Sequence, residues 1–485
     1  MPEADGFPES WTDVTPASTL QPQPSACQIC EIILMWLLGP PRTSRDLPRK
    51  TDFLRLGTLE EALASQCPQH TAIVKHMQLR LEDDIRRGYQ YSHDVASARG
   101  VVLSYSRDFV EVGAPSSTLR HNFIHLVLAN NPEMDDHPGY FEVLHPEWID
   151  FRVLRWWIND CSENHDERCK NPLKIMRTTP DLLVDVKRKC VVQGRIELQY
   201  MALSYRYGNA APFHLHLRNL DTFKEDGVLE DVRILETLPL SVRHAIRLAE
   251  KLEFTYIWTD VLCILHDGPE ILSDQLNKMS AIYAGAVMTV VACDGDGADG
   301  LSGLHGISAP RNSPQTAFVI RDKHLIVPDS SHPGADSRSA AYNGRGWTFQ
   351  EYIMSPRKLV FINQQVQWVC QCCLRTEFDP RSVRPKRETE FDPSEFIHAG
   401  YPDLTQLTYL LSEYNIRDLT YPGDALPAVS GLLAVLSRNF EGGFLYGLPE
   451  QYFDIALSWR LCTLYRGDES AAETACRPRR GSSLY

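Results

Sequence analysis

The chain has 485 residues, a net charge of −14, and a composition of 43% apolar and 23% charged residues. That length is too great for one small core and predicts two or three domains of ordinary globular composition. The acidic balance excludes a general binder of phosphate backbones, so nucleic acid is not expected as a main partner.

In chain order, residues 1–26 are rich in Pro, Ser and Thr and are expected to be a disordered tail. The opening MPEADGFPES is acidic and polar, unlike a secretory signal. The apolar run IILMWLLG (32–39) is too short for a membrane span and reads as a buried helix turn. The 13 cysteines are therefore expected to be reduced, in a cytosolic or nuclear protein, with the cytoplasm as the expected location. Leu59, Leu63, Ile73, Met77, Leu81 and Ile85 have helical spacing. HNFIHLVLAN (121–130) reads as a strand or a short helix, followed by a turn at NPEMDDHPG. Residues 27–180 are expected to form a mixed, mainly helical region packed as an irregular layer on the rest.

From about Leu182 the pattern changes. LLVDV (182–186) and YMALSY (200–205) are strand-like. LPLSVRHAIRLAEKLEF (238–254) carries one apolar helix face, with Pro239 suited to the first turn. YIWTDVLCIL (256–265) reads as a buried strand, and SDQLNKMSAIYAGA (273–286) as a helix capped by Ser273 or Asp274. VMTVVAC (287–293), KLVFI (358–362) and VQWVC (366–370) read as further strands. The alternation predicts an α/β fold: a mostly parallel sheet flanked by helices over residues 181–370. Residues 371–485 are expected to be a helical region, clearest at 404–414 and 427–440.

Four stretches in order resemble the fungal heterokaryon-incompatibility (HET) domain family. They are YMALSYRYG (200–208), LPLSVRHAIRLAEKLEFTYIWTDVLCILHD (238–267), KMSAIYAGAVMTVVACDGDGADGL (278–301) and RGWTFQEYIMSPRKLVF (345–361). WWINDCSENHDERC (156–169) and LLSEYNIRDLTYPGDALPAVSGL (410–432) are similar to elements that flank the family's core. In relatives a Trp-rich stretch follows an "RR" run like that in RPRRGSSLY, so the C-terminal region is expected to be truncated. The chain departs from the pattern at Tyr207 for Trp, Thr259 for Ile and His266 for Gln. A threonine hydroxyl in a buried strand needs a partner.

In α/β sheets, ligands sit at the carboxyl ends of strands, at a topological switch point. Ser204, Tyr205, Arg206 and Gly208 follow the first strand of this unit, where backbone N–H groups can cradle a phosphate. A simple turn is the alternative. Asp260, at a strand exit, is either part of a ligand site or a structural carboxylate paired with Arg345, Arg243 or a backbone N–H. HET domains have been argued to be distant relatives of Toll/interleukin-receptor (TIR) domains, some of which cleave NAD with a glutamate four residues after a tryptophan. WTFQE matches that arrangement, so the resemblance implies Glu351 as the catalytic carboxylate and NAD as a substrate. Trp347 would line the pocket and Arg345 would pair with phosphate. These residues would equally serve to tie a helix to the core.

Cys161, His165 and Cys169 are each four residues apart; on a helix they share a face, which suits zinc. A fourth ligand would come from Cys190 or from CQCC (370–373), and CQIC (27–30) is a second half-motif. Reduced packing thiols are the alternative. His266 and Asp267 read as a solvated loop.

The resemblance implies a part in fungal non-self recognition and programmed cell death, through protein partners or self-association. TIR-like NAD cleavage, a non-enzymatic signalling or scaffold module, and an inactive paralogue all stay open.

Overall fold

The computed structural model describes residues 27–38, 53–86, 100–106, 109–113, 123–129, 141–165, 167–208, 213–312, 315–327, 341–384 and 400–458. The tail 1–26, the turn at 131–139 and the chain end from 459 onward lie outside the described residues.

The strands, in chain order, are β1 (Phe53–Arg55), β2 (Val102–Ser106), β3 (Phe109–Gly113), β4 (Phe123–Leu128), β5 (Leu182–Asp185), β6 (Cys190–Gln193), β7 (Tyr200–Tyr205), β8 (Tyr256–Trp258), β9 (Met288–Ala292), β10 (Ala317–Ile320), β11 (Lys323–Ile326), β12 (Arg357–Ile362), β13 (Gln365–Cys370), β14 (Leu374–Thr376) and β15 (Asp379–Arg384). The principal helices are α1 (Gln28–Leu38), α2 (Leu59–Leu63), α3 (Pro68–Arg86), α4 (Phe151–Asn164), α5 (Leu240–Lys251), α6 (Gly268–Gly285), α7 (Gly346–Met354), α8 (Leu404–Asn415) and α9 (Pro427–Leu436).

These strands form two large sheets, each with its own apolar core. The first runs β1-β2-β3-β4-β11-β10 and is antiparallel throughout. Cys30, Ile33, Leu34 and Leu37 of α1 and Ile73, Val74 and Met77 of α3 recur at helical spacing and pack with this sheet's apolar residues. The N-terminal region, expected to be mixed and mainly helical, carries four strands beside its helices, and the hairpin β10–β11 joins them from far along the chain. The strand reading of 121–130 matches β4.

The second sheet runs β15-β14-β13-β12-β9-β7-β8-β5-β6. Its middle strands β12, β9, β7 and β8 are parallel, and its other pairings are antiparallel. The fold is α/β with a mixed sheet, not the mostly parallel one expected. Asn363 and Gln364, both at positive φ, alone separate β12 from β13. Two residues make a hairpin and cannot hold the crossover that a parallel partner needs.

Within the parallel part, the chain steps from β7 to β8 on one side and then crosses to β9 on the other. The sheet order therefore reverses at β7, which makes its carboxyl end a switch point. The helices divide accordingly: α5 packs on β7 and β8, whereas α6, α7 and α9 pack on one another. Between α6 and α9 the approach is close, since a Cβ on Gly431 would lie 2.1 Å from Ser280 Cβ.

Two element boundaries differ from the sequence reading. The strand expected over 256–265 stops at Trp258, and Asp260–Cys263 form one helical turn capped at Thr259. The Asp260 carboxylate accepts a hydrogen bond from Val261 N at 2.8 Å, as acids at helix starts do. The helix expected from Ser273 begins instead at Gly268, capped at Asp267 with a proline in its first turn.

Candidate functional site

The carboxyl end of β7 is the centre of the arrangement. Ser204 sits near the strand's last residue, fully buried, and donates to Glu351 Oε2 at 2.5 Å. Its oxygen lies 2.6 Å from the Tyr342 hydroxyl, which supplies the hydrogen bond that Ser204 still accepts. Glu351 comes from the middle of α7, a helix that packs against β7. It is 2% exposed, and its Oε1 has no hydrogen-bond partner among the described residues. Burial pushes the Glu351 carboxyl up to about 7, with Arg345 and the hydroxyls of Ser204 and Tyr283 pulling back and the Asp260 charge adding to the rise.

Arg345 caps α7 and is half-buried. Its Nη1 donates to the Tyr205 carbonyl at 3.0 Å, and its guanidinium lies 4.2 Å from the centre of the Tyr207 ring. Burial opposes its charge, but Glu351, Tyr207 and Asp260 outweigh it and hold the guanidinium above its ordinary pKa. Arg417, from the loop after α8, bonds the Arg345 carbonyl at 3.4 Å and Thr348 Oγ1 at 3.2 Å. It braces the start of α7 from behind.

Asp260 is buried and follows β8, the parallel neighbour of β7. It accepts from the Tyr207 hydroxyl and from Val261 N, not from Arg243. Thr259 Oγ1 adds a long contact of 3.4 Å to the same carboxylate. The two departures Tyr207 and Thr259 thus share one partner. The third, His266, packs against His214 with ring centres 4.1 Å apart and planes tilted by 49°. Burial, then the neighbouring His214 and His216, push the His266 imidazole down to about 4. It is half-buried, not a solvated loop residue, and Asp267 accepts from Leu217 N at 2.7 Å.

The structure therefore brings Ser204, Tyr205, Asp260, Arg345 and Glu351 together. Arg206 points outward and is exposed. Trp347 shares α7 with Glu351 but its indole N–H bonds Asp424 at 3.0 Å, so it anchors the helix to the C-terminal region. Gly208 has φ +81°, and a Cβ there would lie 2.2 Å from the Asp296 carboxylate. Gly208→Ala is expected to lower stability by roughly 1–2 kcal/mol through left-handed strain alone, read by urea denaturation; an unchanged midpoint would show that the loop relaxes freely. Sequence reasoning missed Tyr342 and His214. Neither lies in a motif that carries chemistry, and each matters only because a distant strand ends beside it.

The cysteine cluster is more complete than its spacing. His165 has extended backbone and ends α4, and Cys169 lies on the short helix Glu167–Lys170. The three residues therefore do not share one helix face, as expected. On a continuous helix Cys161 and Cys169 would stand about 12 Å apart, too far for one ion. The break folds Cys169 back, and Cys370 of β13 joins it. The ligand atoms of Cys161, His165, Cys169 and Cys370 all lie within 4.8 Å of one another. Cys370 Sγ is 3.4 Å and Cys169 Sγ 3.6 Å from His165 Nδ1. Tetrahedral zinc sets such S···N edges at about 3.5 Å, so the donor set fits it. Cys190 is placed elsewhere, against Asp226.

No helix among the described residues is long and apolar enough to cross a membrane. No curated protein and no solved structure matches the chain. Residues 200–351 match the family model described as heterokaryon incompatibility protein (HET). That match begins at β7 and ends on Glu351, enclosing the strand ends, loops and helix that meet at the switch point, and the chain is thus a heterokaryon incompatibility (HET) domain protein.

Proposed function

We propose that this protein acts in fungal non-self recognition and programmed cell death, and that its switch-point cluster cleaves the nicotinamide–ribose bond of NAD. The observation that carries this reading is the meeting of Ser204, Asp260, Arg345 and Glu351 at the carboxyl ends of β7 and β8. Breaking an N-glycosidic bond places positive charge on the ribose, which an ionised carboxylate stabilises. Glu351 has one oxygen held by Ser204 and one unengaged, and it titrates near neutrality, where it can serve that role. Arg345, already charged and half-buried, is suited to a phosphate of the same substrate. Because Glu351 is 2% exposed, this reading requires the site to open before substrate reaches the carboxylate. The Cys161, His165, Cys169 and Cys370 cluster is proposed as a structural zinc site joining α4 to β13.

A second reading, a signalling module without chemistry, is favoured by one observation. The C-terminal region exposes Tyr401, Ile416, Tyr421, Tyr446 and Leu457, apolar side chains of the kind that partner surfaces or self-association use.

The two separate on expression in a fungal host, following death and NAD together for the parent, Glu351→Ala and the milder Glu351→Gln. The enzyme reading expects both variants to abolish NAD loss and death while remaining soluble. Death that persists unchanged in both variants, with NAD steady, rejects it in favour of the module.

A further inference from the structure

We propose that Cys27, Cys30, Cys67 and His70 form a tetrahedral zinc site, three thiolates and one imidazole, that pins α1 to α3. The four residues fall in two short knuckles, C-x2-C at 27–30 and C-x2-H at 67–70. Cys27 stands just before α1 with Cys30 in its first turn, and Cys67 just before α3 with His70 in its first turn. Both knuckles thus present their donors at helix N-termini, where the dipole favours thiolate over thiol.

All four ligand atoms lie within 4.8 Å of one another. Cys30 Sγ is 3.6 Å from Cys67 Sγ, and Cys27 Sγ is 3.1 Å from His70 Nδ1. Zinc with bonds of about 2.3 Å to sulfur and about 2.0 Å to nitrogen sets S···S edges near 3.8 Å and S···N edges near 3.5 Å. The observed spacings are each slightly shorter than these edges, a contraction that a bound ion would open, and the S···S distance is far longer than the roughly 2.05 Å of a disulfide.

The histidine argues the same way. His70 is 2% exposed, its Nδ1 faces Cys27, and its Nε2 has no partner among the described residues. As a packing residue it would be a poor choice, because a buried imidazole with so little hydrogen bonding costs free energy that an apolar side chain would not. As a ligand through Nδ1 it has a reason to be there. Three thiolates and an imidazole select zinc over the harder divalent ions.

The site also answers a structural need. α1 and α3 cover the antiparallel sheet, and the knuckles join them at one corner of that sheet's core. Metal binding there becomes folding free energy for the N-terminal region.

The test uses the full-length chain and zinc itself. Metal content by plasma mass spectrometry is expected to fall by about one equivalent per chain in Cys30→Ser and in Cys67→Ser, and to be kept in His70→Cys. Should the serine variants fail to fold, His70→Cys carries the test through cobalt(II) in place of zinc. Its ligand-field bands are expected to move from the pattern of three thiolates and one imidazole to that of four thiolates. Equal zinc in parent and Cys30→Ser, an unchanged cobalt spectrum in His70→Cys, or recovery of Cys30 and Cys67 as a disulfide by peptide mass would each overturn the proposal.

Discussion

Between about pH 5 and about pH 8.5, the stability of Glu351→Gln relative to the parent is expected to shift by roughly 2–3 kcal/mol in the variant's favour. The Glu351 carboxyl has an ordinary value of 4.5 and is raised to about 7 in the fold, chiefly by burial. A carboxyl raised on folding binds more protons folded than unfolded between those two values. Its stabilising contribution is therefore whole below the unfolded value and is lost as pH rises through the folded one. Glutamine has the shape of the protonated acid and no such loss. Urea denaturation of both chains at the two pH values isolates the difference, because every other titrating group is common to them. A difference that does not change with pH would mean that the carboxyl is hydrated and ordinary. If Glu351 acts as a carboxylate on NAD, cleavage by the parent rises with pH through the same window.

A larger loss is expected from Arg311→Met, about 3–5 kcal/mol, because it strands a buried carboxylate. Arg311 Nη1 donates to Glu377 Oε2 at 2.5 Å, with side-chain exposures of 1% and 6%. Its Nη2 holds the carbonyls of His145 at 3.0 Å and Trp148 at 3.2 Å, and Glu377 also accepts from Val366 N at 2.8 Å. One guanidinium thus ties the segment before α4 to the β12–β13 turn and fixes the far end of the loop that follows β9. That loop is the one whose Asp296 lies against Gly208. The double variant Arg311→Met, Glu377→Met is expected to lose less than the two single losses summed, since neither charge is then stranded. A single-variant loss below about 1 kcal/mol would show that water reaches Glu377.

The three departures from the family pattern have a common address. Tyr207 and Thr259 both bond Asp260, and His266 packs at a tilt against His214, whose imidazole feels the same carboxylate. Tyrosine at 207 keeps an aromatic ring for Arg345 and adds a hydroxyl that engages Asp260, and the threonine hydroxyl finds its partner there too. Substituted residues that satisfy one another are those of a repacked site, which leaves Glu351 and Ser204 untouched.

By itself the sequence determined the elements whose pattern is local. YMALSY became β7, the amphipathic run near 240–251 became α5, and the four ordered boxes located the HET domain, because strand and helix periodicity and motif spacing are properties of contiguous residues. The antiparallel edge is local too: two residues between β12 and β13 permit only a hairpin. Tertiary structure alone decided the rest. The hairpin β10–β11 completes the N-terminal sheet, Cys370 completes the cluster begun on α4, and Tyr342 closes over Ser204 and Glu351. Each of these joins segments far apart in the chain, and no local free-energy preference records which distant strand end a side chain will meet. Only the packing of the two cores, with the burial it imposes on each polar group, sets those pairings.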